Sequence, residues 1–99
     1  MAITLVNLFN HVPEDKLVEF ETIWAQVSKE MQAQPGFIAF HFYRAIRSGQ
    51  EYQYVNVAQW ESQEHLEKAI ATVNPAGPLQ ATGWGVQIHP NFFDLALES

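Results

Sequence analysis

Ninety-nine residues make one domain, read here as residues 1–99, and a chain this short buries only about two thirds of its unfolded surface. Yet 47% of it is hydrophobic and 13% aromatic, a surplus that must line a pocket or be covered by a partner subunit. Eleven Asp and Glu against five Lys and Arg give a net charge of −6, which repels phosphate backbones and anionic lipid and so argues against nucleic-acid and membrane binding, while the absence of cysteine excludes disulfide and thiolate chemistry and suits a reducing cytoplasm.

The N-terminus has no basic region before its apolar residues and meets Asn7 almost at once, so it reads as a strand and not a signal peptide. No apolar run approaches the ~18 residues of a membrane span. Over residues 3–10, Ile3, Leu5, Asn7 and Phe9 share one face and Thr4, Val6, Leu8 and Asn10 the other, which predicts an interior strand covered on both sides. Pro13, Glu14 and Asp15 suit the first turn of a helix. Leu17, Phe20, Ile23, Trp24, Val27 and Met31 then recur at three- and four-residue steps as one apolar stripe, and Pro35-Gly36 ends it.

Phe37 to Ala45 reads as a second strand, in which Phe37, Ala39, His41 and Tyr43 alternate with Ile38, Phe40, Phe42 and Arg44. Arg47-Ser48-Gly49-Gln50 turns the chain into a third strand, Glu51 to Trp60, with Tyr52, Tyr54, Asn56, Ala58 and Trp60 on one face. Ser62 caps a second helix carrying Leu66, Ile70 and Val73 inward. Residues 74–85, broken by Pro75, Pro78 and three glycines, predict an irregular stretch with at most a short helical turn. Val86 to Leu97 closes the chain as a fourth strand, with a kink expected at Pro90. The order β-α-β-β-α-β with right-handed crossovers is an α+β, ferredoxin-like arrangement with a four-stranded antiparallel sheet. Its helices cover one sheet face. The other is apolar enough to require a second sheet against it.

The run Thr4-Leu5-Val6-Asn7-Leu8-Phe9, then Pro13-Glu14-Asp15, Gln34-Pro35-Gly36-Phe37-Ile38, Tyr54 through Ser62, and His89-Pro90 resembles the antibiotic biosynthesis monooxygenase family. The resemblance covers most of the chain, least over residues 74–85, and is strongest where Asn-x-x-x-Trp-x-Ser leads into a helix. It implies a homodimer forming an α/β barrel from two face-to-face sheets, each subunit keeping a pocket between its sheet and helices. It further implies oxygenation of a small aromatic or hydrophobic molecule, of polyphenol, anthrone or quinol type, without metal, flavin or other cofactor. The family's pocket asparagine and tryptophan fall on Asn56 and Trp60.

Asn56 and Trp60 stand about 13 Å apart along one strand face, so they can reach opposite ends of a flat aromatic ligand. Their amide and indole N–H groups suit an oxyanion. The alternative is plain: a strand tryptophan is often core, and a strand asparagine can serve a loop. Asn7, on the neighbouring strand, faces Asn56 if the register allows. Phe9, Trp24, Tyr54 and Trp84 are aromatic candidates for a substrate-binding wall, or simply the packing that fills it. The family's quinone-forming members also use a tyrosine on the following helix and a later arginine. This chain has neither, which leaves His65 as a candidate acid–base group at the pocket mouth, or a solvated residue beside Glu61. His11, His41 and His89 show no metal-ligand spacing. Residues 66–88 lack the histidine that the family's haem-degrading branch needs. A non-catalytic dimer that binds or senses a hydrophobic metabolite is the rival reading.

Overall fold

A computed structural model describes residues 2–98. In chain order it contains β1 (Ile3–Asn10), a 3-10 turn (Glu14–Lys16), α1 (Leu17–Gln32), β2 (Phe37–Arg44), β3 (Tyr54–Trp60), α2 (Gln63–Val73), a short α3 (Gly77–Gln80) and β4 (Gln87–Phe93). The strands form one sheet in the order β2-β3-β1-β4, every neighbouring pair antiparallel, which is the ferredoxin-like topology. The molecule is a slab only 17 Å thick, one layer of helices on one layer of sheet.

The alternation in β1 and β3 decides what the helices cover. Leu5 and Phe9 on β1, with Tyr54, Ala58 and Trp60 on β3, are buried against them. Thr4, Val6, Leu8, Val55 and Val57 point the other way and are only half-buried. The buried residues gather in two clusters. Phe9, Phe20, Trp24, Val27 and Tyr54 pack with Val12 and Leu79 at one end; Leu5, Ala58, Trp60, Leu66 and Ala69 pack at the other.

Four details differ from the sequence reading. A β-bulge shifts the pairing of β2 with β3 between Phe37 and Ala39, so that Phe37 joins Phe40 on the helix side, its ring 5.4 Å from that of Trp60. β3 starts at Tyr54 and not at Glu51, because Gln53 turns aside. Its side-chain oxygen accepts from the Val12 N–H and its amide donates to the Val12 carbonyl, both at 2.7 Å, while its backbone N–H donates to Phe9. Pro90 makes no kink: β4 is an edge strand, where a missing N–H costs no ladder bond, and its register with β1 runs unbroken through Asn7↔Pro90. β4 also ends at Phe93 instead of Leu97.

Gly36, with φ +89°, ends the α1–β2 connection in a conformation that favours glycine. A Cβ there would also strike the His65 side chain, so Gly36 lets the start of α2 lie directly against this turn. Ser62 caps α2 by accepting the His65 N–H at 3.1 Å.

Helix α1 is held to the sheet edge by one polar cluster. The Tyr54 hydroxyl donates to Glu21 at 2.6 Å, and Arg44 donates to both oxygens of the same carboxylate at 2.8 and 2.9 Å. Arg44, then Tyr54, holds the Glu21 carboxyl below its ordinary value. Burial, then the bond to Glu21, pushes the Tyr54 phenol up to about 12. The unfolded chain releases that proton near 10, so the contribution is complete below pH 10 and is lost as pH rises from there through about 12. Tyr54→Phe should cost about 1.5–3 kcal/mol at pH 7, the worth of a hydrogen bond to a charged group. The gap in urea midpoint between the two proteins should narrow as pH rises from 10 to 12. A gap of constant size over that range would show that the phenol is not held protonated.

Candidate functional site

Each central strand carries one asparagine in the middle of an otherwise apolar face. Along β1 the helix-facing residues are Leu5, Asn7 and Phe9; along β3 they are Tyr54, Asn56, Ala58 and Trp60. The register sets Asn7 directly opposite Asn56. The two amides therefore fall at one level of the sheet, between the two apolar clusters, and divide the core at a polar waist.

A cavity of about 250 Å³ opens there. Its floor is Leu5 and Asn7 from β1, Asn56, Ala58 and Trp60 from β3, and Ile88 and Pro90 from β4. Phe37 and Phe40, brought to the same side by the bulge, close one flank. Trp24, Ser28 and Met31 form the helix wall, four and three residues apart on α1 and hence on one face. Ile70 on α2 and Pro75-Ala76 beyond it complete the rim. Ala58 is the smallest side chain on the floor and leaves much of the room.

Three side-chain atoms at this site are buried with no protein partner: Trp24 Nε1, Trp60 Nε1 and Asn56 Oδ1. Their residues are 4%, 1% and 6% exposed. An unpartnered buried polar group costs about 1–3 kcal/mol, and folded proteins keep few of them. All three belong to residues that line the one cavity.

Of the residues singled out from sequence, Asn7, Trp24, Asn56 and Trp60 meet on the cavity wall. The others do not. Phe9 and Tyr54 are buried within the aromatic cluster, where Phe9 sits edge-on to Trp24 at 4.8 Å and Tyr54 stacks on Phe42 at 5.1 Å. Trp84 packs on the outside of that cluster. His65 lies over Gly36, its Nδ1 2.7 Å from Ser62 Oγ and its Nε2 3.9 Å from Glu61. The inward positions of α2 are Leu66 and Ala69, and a residue one step before Leu66 is turned about 100° away from the pocket. Ser28, Met31, Phe37, Phe40 and Ile70 were not singled out as wall residues. A serine inside an apolar helical stripe was a readable signal for the first; the bulge hid Phe37.

No wall residue is ionisable. None is a histidine, cysteine or tyrosine that could bind haem iron, and Met31 offers only a thioether. Residues and room thus do not fit a haem. Among the described residues no group of three or more His, Cys, Asp or Glu side chains is gathered as for a metal ion, and no helix is long and apolar enough to cross a membrane.

The sequence profile of the antibiotic biosynthesis monooxygenase family matches residues 2–72. Among solved structures, a candidate monooxygenase from Shewanella loihica PV-4 is 30% identical with a TM-score of 0.82, covering 98% of this chain and 96% of its own. SnoaB, a cofactor-independent oxygenase from Streptomyces nogalater, is 23% identical with a TM-score of 0.78, covering 98% and 95%. A haem-degrading protein from Mycobacterium tuberculosis is 23% identical with a TM-score of 0.67, covering 100% and 99%. These last two likenesses are of fold. Comparison with curated proteins finds no match by sequence.

Proposed function

The chain belongs to the antibiotic biosynthesis monooxygenase family, and on that premise we propose that it is a cofactor-independent monooxygenase of small quinols, anthrones or related polyphenols, which it binds as anions in the pocket between sheet and helices. The observation that carries this reading is the polar waist: two opposed asparagines and two tryptophans, whose indole N–H groups have no protein partner, in a cavity whose remaining wall, Ser28 apart, is apolar.

The side chains account for what such a reaction asks. Trp60 Nε1–H donates to the substrate oxygen and stabilises negative charge there. Asn7 and Asn56 fix the ring edge. Phe37, Phe40 and Ile88 exclude water, so that an electron-rich anion meets O₂ instead of being reprotonated. A ring CH₂ beside the stabilised oxyanion loses its two hydrogens and gains one oxygen atom from O₂, and the second oxygen leaves as water. With no ionisable group on the wall, the substrate must reach the pocket already acidic enough to ionise, and the pH dependence of turnover follows the substrate's own pKa.

Oxygen uptake with anthrones and quinols should be enzyme-dependent. Trp60→Phe, which keeps the ring against Phe37 but lacks the N–H, should lower kcat/KM by about 10- to 100-fold, the worth of one hydrogen bond to a charged group. The absence of an acid–base residue in the wall favours a second reading, a protein that binds or senses such a molecule unchanged. No uptake with any of these compounds would establish the second over the first.

The same reading includes a homodimer at work in the cytoplasm. It is supported by the sheet face opposite the helices, where Val6, Leu8, Val55 and Val57 lie uncovered in the single chain.

A further inference from the structure

The buried residues of α1 are Phe20, Trp24, Val27 and Ser28; the first three bring large apolar side chains and the fourth a hydroxyl. A hydroxyl inside a helix commonly turns to solvent or bonds the carbonyl four residues back. Thr22 and Thr72 do the latter, donating to Val18 at 3.0 Å and to Lys68 at 2.8 Å. Ser28 does neither. It is only 7% exposed, and among the described residues no protein group bonds its oxygen, whose remaining surface faces the cavity it lines. If the position called only for a small side chain, alanine would fill it with better helix propensity and no polar atom to desolvate.

The hydroxyl stands on the wall opposite the two asparagines. Asn7 and Asn56 belong to the floor strands, and Ser28 belongs to the helix above them. Its height over the floor is fixed, because Glu21, about two turns earlier on α1, is tied to the sheet through Tyr54 and Arg44. We propose that Ser28 is a ligand-binding residue: its hydroxyl holds one oxygen of the bound molecule from the helix side, while Asn7 and Asn56 hold another on the floor. The serine thereby selects ligands oxygenated at two separated positions over ligands with a single oxygen. A hydroxyl both donates and accepts, so a hydroxyl or a carbonyl on the ligand serves alike. What is read is the presence of the second oxygen and not its oxidation state. The inference rests on the reading of the cavity as the place where an aromatic ligand binds, and it adds a specificity contact from the helix wall.

The test is a cycle between the serine hydroxyl and the second oxygen of the ligand, read by anaerobic titration calorimetry. The cavity of about 250 Å³ lies just below the usual range for drug-sized ligands, about 300–1,000 Å³, so the probes share a two-ring skeleton. They are 1-naphthol, whose one oxygen goes to the asparagines, and 1,4- and 1,5-dihydroxynaphthalene, which carry the second across the same ring or on the other. Ser28→Ala should weaken at least one of the diols by about three- to tenfold, one neutral hydrogen bond's worth, and leave 1-naphthol within about twofold. Thr22→Ala, which removes an exposed hydroxyl from the same helix, should leave all three affinities unchanged. The melting temperature of Ser28→Ala should equal or exceed that of the native chain, since alanine favours the helix. Three affinities that fall alike, or none that changes, overturn the inference and leave the pocket as the ligand site. A native protein that binds none of the probes loses the pocket reading and this inference together. A loss confined to a diol, in a protein that takes up no oxygen, keeps the inference and removes the oxygenase reading.

Discussion

Replacing Asn56 with leucine is expected to raise the melting temperature by about 5–10 °C and to abolish turnover. Asn56 is 6% exposed and its Oδ1 has no protein partner. Removing an unsatisfied amide relieves a desolvation cost of about 1–3 kcal/mol, and a leucine of nearly the same size adds apolar contact with Ala58 and Ile88. In a domain of this length each kcal/mol moves the midpoint by about 4–8 °C. If Asn56 instead held a loop or strand in place, the same substitution would lower the melting temperature. The sign of the shift in a calorimetric scan, beside an oxygen-electrode assay on the same preparation, thus separates a residue kept for its ligand from one kept for the fold. A loss of stability would remove the main support for placing the site at this waist.

The fold was legible because period-two and period-3.6 patterns are strong in this chain. The apolar stripe from Leu17 to Met31 and the alternation in β1 and β3 need no tertiary information. The site was half legible. Asn7 and Asn56 stand out as polar residues on apolar faces, but only the register Asn7↔Asn56 makes them one feature, and register is set by pairings far apart in sequence. The same limit hid the bulge at Phe37/Ala39, which reverses the facing of one residue and brings a phenylalanine to the pocket flank. His65 was left between the pocket mouth and the flank beside Glu61 by a different uncertainty, and it lies on the flank. On a helix one residue is about 100°, so assigning a side chain to the pocket or the flank depends on fixing the inward stripe to within a single position. Here Leu66 and Ala69 hold that stripe. Phe9, Tyr54 and Trp84 look on paper like Trp24, aromatic and near the site. What distinguishes them is depth, since the first two sit within the cluster that supports the wall.

Val57→Arg is the substitution expected to act most strongly on assembly. Val57 lies at the centre of the uncovered sheet face, paired with Val6 on one side and His41 on the other. In a single chain that face is open, so an arginine there can extend into water and the protomer should fold, with an unchanged near-UV spectrum. In a two-fold dimer built on this face, both copies bury the new charge at once. Desolvation of each unpaired ion costs several kcal/mol, which together weakens association by more than about a thousandfold. At 10 μM protein, sedimentation velocity should therefore give a dimer for the native chain and a monomer for the variant. The pocket lies on the other side of the sheet, between floor and helices, so the monomer should still bind 1,4-dihydroxynaphthalene. A native chain that sediments as a monomer, or a variant that remains a dimer, would place the subunit contact elsewhere or nowhere, and the valine-rich face would then need another partner.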